Sequence, residues 1–89
     1  MKNNPVHIQC HFKGFYFEKK ERPSYTQTLK TIRTHVKKWN GKITRNTGLA
    51  GCGTWIDIKF NTIGNACKFF KFFNTAYCDE YRNAKAMLY

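Results

Sequence analysis

Residues 6 to 13, VHIQCHFK, alternate without a break: Val6, Ile8, Cys10 and Phe12 against His7, Gln9, His11 and Lys13. This is the two-residue period of a strand with one face buried. Gly14 is a place for a bulge, and Arg22 before Pro23 is disfavoured as helix. A helix is then announced by Ser24 with Gln27 three residues on, the two ends of a capping box. Tyr25, Leu29, Ile32, Val36 and Trp39 follow at helical spacing and make one apolar stripe. Asn40-Gly41 ends the helix, with Gly41 suited to the left-handed position.

Lys42 to Arg45 (KITR) reads as a short strand, and Asn46 to Gly53 as a loop because of its glycines. Thr54 to Phe60 alternates again, with Thr54, Ile56, Ile58 and Phe60 on one face and Trp55, Asp57 and Lys59 on the other. These two strands are expected to form a hairpin. A second helix begins at Asn61 or Thr62, both good caps. The wheel puts Ile63, Ala66, Phe70, Phe73, Tyr77, Tyr81 and Ala84 on its inner face, with Phe69, Phe72 and Ala76 beside it. It is expected to fray near Asn83. Residues 84 to 89 extend this helix or add a last short strand.

The order strand, helix, strand, strand, helix predicts an α+β fold. It is the order of the split βαβ, ferredoxin-like sandwich, in which two helices cover one face of an antiparallel sheet. That architecture hosts many unrelated functions, so it says little about this one. The segment KFFKFF, Lys68 to Phe73, puts four phenylalanines and two lysines in six positions. Phe70 and Phe73 are expected in the core; Phe69 and Phe72 are candidates for a contact with a partner or with a second copy of the chain.

At 89 residues the chain fits one domain. Its net charge of +11, from 16 Lys and Arg against 5 Asp and Glu, points to an anionic partner. Lys30, Arg33 and Lys37 form a second stripe on the first helix, with Lys38 beside them and no acid on that helix. A merely soluble face mixes signs. Lys42 and Arg45 follow it, and Lys13, Lys19, Lys20 and Arg22 precede it. Together they predict a surface that follows phosphates. On the uncovered sheet face Trp55, aided by His7 or His11, is the candidate for stacking on unpaired bases. The third strand lacks the aromatic consensus of RNA-recognition sheets.

Other chemistry is weaker. The glycines from Gly48 to Gly53 lack the Walker pattern and lead into a strand rather than a helix. Cys10, Cys52, Cys67 and Cys78 show no paired zinc-ligand spacing, and Cys10 lies on the strand face opposite to His7 and His11. Reduced thiols, no metal and no cofactor are expected. His7 and His11 are about 13 Å apart on one strand, too far to flank one phosphate, and His35 belongs to the first helix. A catalytic set is therefore not assembled, and the chain is not expected to be an enzyme.

The first ten residues hold no secretory signal, and no stretch approaches the roughly 18 apolar residues of a membrane span. A cytoplasmic place and no membrane partner are expected. The leading expectation is a small basic protein that binds nucleic acid, RNA or single strands in preference. The first alternative is an inhibitor of a host nucleoprotein complex, of the kind phages and mobile elements encode against CRISPR systems. The second is a histidine-dependent ribonuclease toxin.

Overall fold

The computed structural model describes residues 5–13, 24–48, 53–77 and 84–88. In chain order the elements are β1 (Val6–Phe12), α1 (Tyr25–Lys38), β2 (Lys42–Asn46), β3 (Thr54–Phe60), α2 (Ile63–Ala76) and β4 (Ala84–Leu88). The expected α+β class is met: four strands form one antiparallel sheet, accompanied by two helices. Across the sheet the strands run β2-β3-β1-β4. The two strictly alternating segments are thus the two inner strands, and they pair from Val6↔Phe60 to Phe12↔Thr54.

That register puts Ile8, Cys10, Phe12, Thr54, Ile56, Ile58 and Phe60 on one face, where all are buried. Ile32 and Val36 of α1 and Ala66, Phe69 and Phe73 of α2 close over them in one cluster. α2 lies against β1, β3 and β4, and α1 against β2. Phe73 meets Phe12 edge-on at 5.4 Å, and Phe69 lies 5.5 Å from Phe60. Rings in these arrangements add to what their burial contributes.

α1 starts as predicted. The Gln27 amide donates to the Ser24 hydroxyl, and the Ser24 amide donates to the Gln27 side chain, both at 3.2 Å. It ends differently. Asn40, not Gly41, takes the left-handed conformation (φ 57°), which Asn tolerates better than other side chains. Gly41 is needed for another reason: a Cβ there would fall 2.5 Å from the Phe60 ring. α2 is capped by Thr62, whose hydroxyl accepts from the Asn65 amide.

Two expectations about α2 are corrected. Its core face is Ala66, Phe69, Phe73 and Tyr77, while Phe70 is half-buried and Ile63 is 64% exposed. In a run with phenylalanine at four of six positions, an apolar stripe of either phase can be drawn. The neighbouring Phe60 and Trp39 select the one through Phe69. The helix also stops at Ala76, so Ala84 belongs to β4 and not to the helical face. The Gly14 bulge, Lys19, Lys20, Arg22, the middle of the 46–53 loop, Cys52, Cys78, Tyr81 and Asn83 lie outside the described residues.

Candidate nucleic-acid interface

The alternation that fills the core on one face sends every second residue to the other, which neither helix covers. There the pairing sets side chains in three rows across the strands. One row is Lys42, Lys59 and His7; the next is Arg45, Asp57, Gln9 and Met87; the third is Trp55, His11 and Lys85. Neighbours within a row are about 4.8 Å apart by strand spacing. Lys42, Arg45, Lys59, His7 and Lys85 are exposed; the residues between them are half-buried.

Arg45 reaches this face through an irregularity. Strict alternation after Ile43 would turn Arg45 toward the core side. The pairing shifts between Ile43 and Arg45, so that Arg45 comes opposite Asp57. This is the effect of a bulge, which re-aims the side chains of the strand that carries it. The Thr44 hydroxyl donates to the Asp57 carbonyl at the same place.

In the third row the His11 and Trp55 rings are stacked, 3.9 Å between centroids and 25° between planes. They are directly opposed on adjacent strands, so stacking turns their faces along the strand-to-strand direction. The far face of the indole then looks toward β2. At the edge of the imidazole sits Gly53 (φ +120°), where a Cβ would come 2.8 Å from His11 Nε2 and 2.5 Å from the Phe12 carbonyl oxygen. His11 Nε2 is buried with no hydrogen-bond partner. Burial first, then the charges of Lys85 and Lys13, hold the His11 pKa below its ordinary 6.5. A proton on a nitrogen that can reach neither water nor an acceptor is disfavoured, so the ring stacks in its neutral form at physiological pH.

The middle row holds Asp57, the only acid among the described residues, beside eleven Lys and Arg. Gln9 Nε2 donates to Asp57 Oδ1 at 3.0 Å. A shallow depression opens here, lined by His7, Ile8, Gln9, Thr44 and Asp57.

The candidate residues thus divide between two surfaces. Lys42 and Arg45, expected with the helix stripe, lie on the open sheet face with His7, His11 and Trp55. Lys30, Arg33 and Lys37 are exposed on the outer side of α1, around a groove with Tyr25 and Leu29. Lys38 lies 5.4 Å from the Trp39 ring. A single ligand strand cannot touch Arg33 and Trp55 without crossing an edge of the sheet.

Phe69 is fully buried and is corrected from partner contact to core, for the packing reason given above. Phe72 is half-buried; it stacks on His35 at 3.8 Å and shares a small apolar slot with Trp39, Lys68, Lys71 and Ala76. Lys85 and Met87 were not among the predicted site residues. Their signal was the alternation of Ala84, Ala86 and Leu88 with Lys85 and Met87, which the helix-or-strand ambiguity concealed. Cys10 is buried in the core and Cys67 is an exposed thiol. Among the described residues no helix is long and apolar enough to cross a membrane. No family model matches the chain, and no curated protein matches it.

Proposed function

We propose that the chain binds single-stranded nucleic acid, RNA or DNA, across the open face of its sheet. The observation that carries this reading is the His11–Trp55 stack on a face that neither helix covers, rimmed by lysines. A base stacks on an aromatic ring whatever its sequence, and cations at the rim meet the phosphates on either side. Lys42, Lys59 and Lys85 supply that rim on three strands, with Arg45 at the bulge. The α1 stripe of Lys30, Arg33, Lys37 and Lys38 supplies general attraction for the polyanion from the other side of the molecule. The reading assigns binding and no reaction. Its fold-level counterpart is the ferredoxin-like split βαβ plan, supported by β3 lying between β1 and β2.

The test is titration of a labelled, unstructured oligonucleotide at several salt concentrations. Wild type binds well above a generic basic protein of equal charge, and Trp55→Ala weakens binding by about 1–3 kcal/mol. Binding no better than that of the generic protein overturns the reading.

A second reading has its own observation. The slot between Trp39 and Phe72 is apolar, and Lys68 and Lys71 border it. It fits an acidic protein surface, as an inhibitor of a nucleoprotein complex would need. A partner captured from cells that survives nuclease treatment and is lost in Phe72→Ala supports this second reading.

A further inference from the structure

A carboxylate is out of place on a surface meant for phosphates. Asp57 nevertheless stands in the middle of the open face, with Lys59 two residues along β3 and Arg45 opposite on β2. A carboxylate only accepts hydrogen bonds. Gln9 donates to Oδ1 and so fixes the orientation of the group, at the floor of a shallow depression. Asp57 is also two residues from Trp55, about 7 Å along the strand. A base that continues the His11–Trp55 stack on the far face of the indole presents one edge along β3 toward this carboxylate.

We infer that Asp57 selects among bases, favouring one with two adjacent donors on its Watson–Crick edge. That base is guanine, through N1–H and the N2 amino group. This inference rests on the reading that bases stack on Trp55. Adenine offers an acceptor at N1, which meets the carboxylate lone pairs unfavourably. Uracil offers a single N3–H between two carbonyls, and cytosine an amino group beside an acceptor nitrogen. Selection then has an attractive part and a repulsive part, as specificity generally requires. The cations give affinity, and the Asp57 carboxylate gives preference.

The experiment uses the full chain and a short labelled oligouridylate with one central guanosine, inosine, adenosine or uridine. Wild type binds the guanosine oligomer about tenfold tighter than the adenosine one, the scale of one good bidentate contact. Inosine, which lacks the N2 amino group, falls between them and needs no protein variant. Asp57→Asn brings guanosine and adenosine to within about twofold of each other, on the same scale of contact. Its affinity for plain oligouridylate is unchanged or higher, because a repelling charge is gone. Thermal melting checks that the isosteric variant is folded.

Equal affinity for all four oligomers in wild type, with Trp55→Ala still weakening each, overturns the inference and leaves the stacking reading standing. A guanosine preference that persists in Asp57→Asn overturns the role of Asp57. Binding no better than that of a generic basic protein removes both readings together.

Discussion

On β1, Ile8, Cys10 and Phe12 are shut away from water, while their neighbours His7, Gln9 and His11 lie on a face that neither α1 nor α2 covers. β3 repeats the division, with Ile56 and Ile58 inside and Trp55 and Asp57 outside. Each strand therefore belongs to two regions with different physics. The inner face is held by close packing, where a lost ring leaves a cavity. The outer face is held by the same backbone pairing, and the charged side chains of the strands lie on it. Stability and recognition should then respond to separate sets of mutations at alternate positions.

The sharpest break of this comparison is on the inner side. Phe69→Ala should cost about 3–5 kcal/mol in urea unfolding, as for other buried aromatic rings. Phe72→Ala, three residues on and half-buried, should cost clearly less. Equal costs would put Phe69 back at the surface. On the outer side Trp55→Ala should lower oligonucleotide affinity by about 1–3 kcal/mol. Its cost in stability should stay near the roughly 0.2–1 kcal/mol of a cross-strand pair. A larger stability loss than binding loss would mean that the indole is structural.

Next in size is Thr54→Val on the inner face. Thr54 is fully buried and its hydroxyl has no partner. Replacing that hydroxyl with a methyl should raise stability by about 1 kcal/mol, measured as a shift in the unfolding midpoint. The smallest effect is confined to acid. The folded His11 pKa lies below 6.5, so the unfolded chain takes up the proton first. The His11 contribution is complete above pH 6.5 and is lost as pH falls below it, until the folded imidazole also titrates. Unfolding midpoints above and below pH 6.5 should diverge more for wild type than for His11→Gln. Identical pH slopes would show that the buried nitrogen reaches solvent.

Much of this division was readable in the sequence because strict alternation in two long strands decides both faces at once. His7, His11 and Trp55 were placed on the open side by that alternation alone. Arg45 was not, because a short strand has too few residues to reveal a shift in its pairing. Phe69 was misplaced because KFFKFF is apolar enough for more than one helical phase. Only contacts distant in sequence, with Phe60 and Trp39, decide between them. Lys85 and Met87 escaped because a five-residue strand beside a helix end has a pattern compatible with both structures. The pairing of His11 with Trp55 is likewise a matter of register, which alternation does not specify. No sequence pattern pointed to the unpartnered His11 nitrogen, which follows from the fit of Gly53 against it.

The lone carboxylate among eleven described cations, in a chain of net charge +11, has a consequence for ionic strength. With 16 Lys and Arg against 5 Asp and Glu, the folded chain repels itself. Added salt screens that repulsion and should make the isolated protein harder to unfold. The same salt should weaken the proposed hold on a polyanion, because each counterion released into a saltier solution gains less entropy. Stability and affinity should therefore move in opposite directions as salt is raised. On the proposed reading, a bound strand in dilute buffer would act as the missing counter-charge, and the fold would be firmest when occupied.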